Sequence, residues 1–102
     1  EVTAPRIPCS TLAAHMGDPT FIDRFRAAGR PGFYARVLTP EVAHTGDPVR
    51  VQARRSGVTL NALFRLWYNP KPDLKELEHA LSAPIAVRMR ARYEKLVTAL
   101  NA

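Results

Sequence analysis

The hydrophobic period changes from two to 3.6 near Ser56, and that switch splits the 102 residues into two parts that cannot share one repeating architecture. Before it, apolar residues alternate or sit in short runs broken by proline. After it, they recur every three or four positions. The chain is therefore read as α+β, with a β-rich unit over residues 1–55 and a helical unit over 56–102, joined at Arg54-Arg55-Ser56-Gly57.

The helical half is the more regular. After Thr59, the residues Leu60, Leu63, Phe64, Trp67 and Tyr68 form one stripe of a helix over about 60–68, which Asn69-Pro70-Lys71-Pro72 ends. Asp73 and Glu76 have capping-box spacing at the start of a second helix striped by Leu74, Leu77 and Leu81. A third begins near Pro84 and aligns Ile85, Met89, Tyr93, Leu96 and Leu100. Burying a large apolar side chain contributes about 1.5–3 kcal/mol, so the stripes are sufficiently explained as the core of a small three-helix bundle. Arg88, Arg92 and Lys95 lie on the opposite face of the last helix and are read as solvated.

In the first half, residues 1–9 read as a strand and Thr11 to Met16 as a short helical turn bearing Leu12 and His15. Asp18 as N-cap and Pro19 at the first helical position open a helix over 19–28, with Phe21, Ile22 and Phe25 on one face and Gly29 closing it. Asp23, Arg24 and Arg26 project to the other side, toward water. After Arg30-Pro31-Gly32, apolar residues on both faces of Phe33 to Thr39 predict a well-buried strand. Val42 and Ala43 follow as a brief extended stretch. The turn Thr45-Gly46-Asp47 then leads to a strand in which Val49, Val51 and Ala53 alternate with Arg50, Gln52 and Arg54.

An apolar fraction of 46% argues against disorder. No apolar run approaches the roughly 20 residues needed to cross a bilayer, and no signal-peptide layout opens the chain, so a soluble, cytoplasmic protein without membrane contact is expected. The chain begins with Glu1, directly in strand-like sequence, which points to a processed chain or a piece of a longer one. The net charge of +6 is spread, with eight basic against five acidic residues up to Arg55 and seven against four after it. There is no run of four basic residues, so nucleic acid is not an expected partner. His15, His44 and His79 are isolated, and no GxSxG, Walker or GxGxxG pattern occurs.

One residue stands apart. Cys9 is the chain's single cysteine, and it follows the proline-stiffened run Ala4-Pro5-Arg6-Ile7-Pro8. Pro8 fixes its own φ and biases Ile7 away from helix, so the thiol is held in a defined direction. Two readings stand: a small buried hydrophobe, or a thiol presented to a metal or a reaction partner. An internal disulfide is excluded.

Pro5-Arg6-Ile7-Pro8-Cys9, the stretch Gly32-Phe33-Tyr34-Ala35-Arg36-Val37-Leu38-Thr39-Pro40 and the segment from Val42 through Gly46-Asp47 together resemble the C-terminal half of a MOSC domain, the module named for the C-terminus of molybdenum cofactor sulfurase. Val58-Thr59-Leu60 onward, with Leu66-Trp67-Tyr68, Pro72-Asp73-Leu74 and the Arg-rich last helix, resembles the three-helix domain that follows MOSC in YiiM-like bacterial proteins. The resemblance implies a β-barrel that binds molybdenum cofactor (molybdopterin), with Cys9 as thiolate ligand to molybdenum and reduction of N-hydroxylated compounds of the hydroxylaminopurine type. Arg6 is implied as a charge partner of the thiolate or of the cofactor phosphate, although strand alternation sets it on the face opposite Cys9. The family has an upstream stretch of comparable size, so the chain is expected to be a fragment whose partial barrel closes only with an upstream segment or partner chain. The cofactor is expected to be absent from the fragment alone. An electron-donor protein is a further partner the activity would need. Two other functions remain open: a sulfur carrier or cofactor-handling protein using a Cys9 persulfide, and a non-catalytic basic interaction module.

Overall fold

The computed structural model describes residues 1–52 and 57–102. Two strands and five helices follow one another as β1 (Val2–Pro5), α1 (Ser10–Met16), α2 (Phe21–Ala28), β2 (Phe33–Ala35), α3 (Leu60–Tyr68), α4 (Leu74–Leu81) and α5 (Val87–Leu100).

β1 and β2 pair antiparallel, with Val2 opposite Ala35, Ala4 opposite Tyr34 and Pro5 opposite Phe33, so that Thr3 is the extra residue of a bulge. The ladder continues past both ends of the strands. Glu1 and Arg36 exchange backbone hydrogen bonds, both at 2.7 Å, and the Arg6 N–H donates to the Gly32 carbonyl at 3.3 Å. The bulge has a use: it frees the Thr3 carbonyl to accept the Ala86 N–H at 3.0 Å, tying the sheet to the approach to α5.

The helical half forms where the apolar period places it. Thr59 Oγ1 caps α3 by accepting the Ala62 N–H at 3.0 Å. At α4, Asp73 Oδ1 accepts the Glu76 N–H and Glu76 Oε2 accepts the Asp73 N–H, completing the capping box. α4 packs chiefly on α5, and α3 on β1 and α4. Leu63, Leu66, Leu77, Ala80, Ala83, Ile85, Met89 and Tyr93 form one buried cluster, which Ala4 of β1 joins. The three helices therefore share their core with the sheet. α5 starts at Val87, three residues beyond Pro84; Ala86 before it is extended (ψ 147°) and donates its N–H to the strand.

Two β-sheet expectations are corrected. The strand predicted over Phe33 to Thr39 is only three residues long and is exposed, with Phe33 at 58% and Val37 at 75%. Its apolar faces meet no second layer. The turn at Thr45-Gly46 does form: Asp47 N–H donates to the His44 carbonyl, Asp47 Oδ2 accepts the His44 N–H, and Gly46 takes φ +88°. No strand follows it among the described residues, and Val49 and Val51 are each 89% exposed. Ala53 and Arg54 of that predicted strand, and the junction Arg54-Arg55-Ser56, lie outside the described residues. What is present is an open two-stranded sheet, with no closed barrel among the described residues.

Candidate functional site

β1 ends at Pro5, whose side chain is fully buried, and Pro8 is buried as well, so the segment between them is pinned at two points. Cys9 emerges from the second pin exposed to solvent. It adopts an extended conformation (φ −126°, ψ 171°) as the N-cap residue of α1, and its carbonyl accepts the Ala13 N–H at 3.2 Å. Of the two readings of this residue, a buried hydrophobe is ruled out by its exposure.

The local field favours the thiolate. The N–H groups of Leu12 first and Thr11 second hold the thiol below its ordinary value, against a small desolvation cost, with the Thr11 side chain and the Arg6 charge adding in the same direction. No cap hydrogen bond closes on the sulfur, so these N–H groups act as oriented dipoles. Arg6 therefore contributes, contrary to the alternation argument, because the strand stops at Pro5 and its two-residue period does not run on to Cys9.

The scaffold around Cys9 is anchored through aromatic rings. α1 ends at Gly17 in the left-handed region (φ +64°) and turns into α2, on which it packs. Asp18 organises that turn: its carboxylate accepts from Thr20 N–H, Thr20 Oγ1 and Arg24 Nη1. These contacts, the Thr20 hydroxyl foremost, hold its carboxyl below the usual range. The helix expected over 19–28 begins at Phe21 for this reason, with Thr20 as N-cap. On its inner face Phe25 meets Phe64 edge-on at 6.2 Å, and Phe64 meets Tyr68 at 5.3 Å. The Arg26 guanidinium lies 4.5 Å over the Tyr68 ring and that of Arg92 lies 3.8 Å over Trp67. Sequence reasoning assigned both arginines to solvent. Their aromatic partners are too distant in sequence for any local pattern to have shown the contact.

The three histidines stay apart, on α1, in the His44–Asp47 turn and on α4. Among the described residues no group of three or more His, Cys, Asp or Glu side chains could hold a metal ion. No helix among the described residues is long and apolar enough to cross a membrane.

The structure thus defines an α+β unit with an open sheet that presents one exposed thiol, its pKa lowered, beside a proline-pinned strand end. Comparison adds what the chain is similar to. Residues 1–50, the segment that carries Cys9, match the family model of the MOSC domain. The chain is 29% identical over 97 residues to the uncharacterized protein YflK of Bacillus subtilis (strain 168), a match covering 93% of this chain and 44% of that protein. It therefore spans less than half the length of that relative. No solved structure matches.

Proposed function

We propose that the chain is part of a MOSC-domain protein that binds molybdenum cofactor, with Cys9 as the protein thiolate to molybdenum, and that reduces N-hydroxylated compounds. The family is one associated with molybdenum cofactor, which is the coarse function its match carries. The single observation that supports the finer reading is the state of Cys9: the only thiol of the chain lies inside the matched segment, exposed and held toward its anionic form.

A thiolate is a soft donor suited to a metal already held by sulfur, so the donor chemistry fits. When bound, the cofactor would supply the two electrons that cleave an N–O bond. Pro5 and Pro8 fix the direction of the sulfur, the N–H groups of Leu12 and Thr11 lower the pKa of the thiol, and Arg6 balances negative charge beside it. The unpaired edge of β2 and the exposed Phe33, Tyr34, Val37 and Leu38 would be covered by the remainder of a MOSC barrel, from an upstream segment or a partner chain. An electron-donor protein completes the reaction.

The test is molybdenum content, measured by elemental mass spectrometry on the protein purified from its native host. The expected result is bound molybdenum in the wild type and its loss in Cys9→Ser; equal content in the two removes Cys9 from the role. A second reading is favoured by the same exposed thiolate. Cys9 would attack a sulfane-sulfur donor, forming a persulfide while the donor thiolate leaves. Alkylation mapping that finds persulfide on Cys9 in a molybdenum-free protein selects this reading over the first.

A further inference from the structure

On the side of α3 opposite Phe64 and Tyr68, α3 and α4 flank a cleft of about 310 Å3, within the size range of small-molecule sites. Its floor is made by Leu63, Leu66 and Ala80, all buried. Arg65 of α3 and His79 of α4 stand at its rim, and Asn69 and Glu76 close one end.

The rim carries one acidic side chain, Glu76, and two basic ones, Arg65 and His79, and they differ in how far they are engaged. Glu76, the one acid among the described lining residues, keeps its negative charge, but its Oε2 is occupied by Asn69 Nδ2 at 3.3 Å and by the Asp73 N–H at 3.0 Å. Arg65 and the His79 imidazole have no hydrogen-bond or ion-pair partner among the described residues. A guanidinium left without a partner at the edge of an aliphatic floor gains most from a planar anion that it can hold through two parallel hydrogen bonds. An apolar floor in turn rewards a hydrocarbon body.

We propose that the α3–α4 cleft binds one small amphipathic carboxylate, its head paired with Arg65 and His79 and its hydrocarbon laid on Leu63, Leu66 and Ala80. The cleft shares no lining residue with the Cys9 segment, and the proposal stands independently of the cofactor reading. It is tested on the 102-residue chain with octanoate as the probe, by calorimetric titration and amide chemical shifts. Saturable one-to-one binding is expected, with shifts confined to the cleft residues. 1-Octanol, which has the same body without the charge, is expected to bind at least about tenfold more weakly, a loss of about 1.4 kcal/mol. Arg65→Gln should weaken octanoate but not octanol, and Ala62→Trp, at a half-buried position lining the cleft, should block both. Tighter binding of octyl phosphate than of octanoate would overturn the carboxylate assignment. Shifts centred on the exposed β2 region, or octanoate binding unchanged in Arg65→Gln and Ala62→Trp, would overturn the site.

Discussion

At the scale of single residues, chemistry and packing separate cleanly between Cys9 and Tyr93. Cys9 is exposed and its thiol is held down by the first-turn N–H groups of Leu12 and Thr11. Its alkylation by iodoacetamide should reach half its maximal rate below the ordinary thiol value of about 8.5. Thr11→Pro removes one of the two N–H groups at a position of the first turn where no intrahelical bond is lost. The half-point should then move upward and the rate at neutral pH should fall; an unchanged profile would show that the dipoles do not act on the sulfur. Tyr93 is the opposite case. It is 1% exposed, its hydroxyl has no partner, and burial pushes its pKa up to about 12 against the opposing Arg92 charge. Above about 10 the unfolded chain loses a phenolic proton that the folded one keeps, so the stabilisation is complete below that pH and is lost as pH rises toward the folded value. Tyr93→Phe should flatten the alkaline limb of the stability curve and cost less than about 1 kcal/mol, since it removes a buried hydroxyl without a partner. Urea unfolding across that pH range measures both.

At the scale of elements, what the sequence made legible was local. Thr59 and the Asp73/Glu76 pair cap α3 and α4 where their spacing predicts, because a cap joins residues only three apart. The start of α5 was not legible from its own residues, since the extended Ala86 before it donates its N–H to Thr3 across the fold. The short β2 failed the prediction for the related reason that strand length is set by the partner strand, and β1 offers four residues, one of them bulged. Cys9 was found by its rarity and its prolines, whereas its N-cap position needed the strand to end at Pro5. Asp73→Ala removes the side-chain half of the capping box, while the backbone N–H at 73 can still donate to Glu76 Oε2, and should cost about 1 kcal/mol, lowering Tm by about 4–8 °C. Lys75→Ala, an exposed position in the same helix, should change Tm little. A thermal melt of the two variants against wild type checks the difference, and equal melting temperatures for all three would show that α4 is held by Leu77 and Ala80 alone.

At the scale of the whole molecule, the two halves bury their apolar residues very unequally. Leu77, Ile85, Met89 and Tyr93 are almost wholly withdrawn from water, while Phe33, Tyr34, Val37, Leu38, Val42, Val49 and Val51 are all more than half exposed. An apolar surface of this kind beside the exposed edge of β2 is unfavourable for a chain on its own, because an exposed ladder edge is a template for another strand. The chain by itself should therefore associate as its concentration rises, through the β half and not through the helices. Light scattering coupled to size exclusion would show the mass increasing with loading above the 11.4 kDa of one chain. Val37→Lys combined with Val51→Lys should return the mass toward one chain without lowering Tm, since at 75% and 89% exposure neither side chain contributes to the buried core. A wild-type chain that stays monomeric at every concentration tested would mean that this surface is tolerated as it stands, and the case for a completing barrel segment would lose its physical basis. Association that persists in the double variant would instead place the contact elsewhere on the molecule.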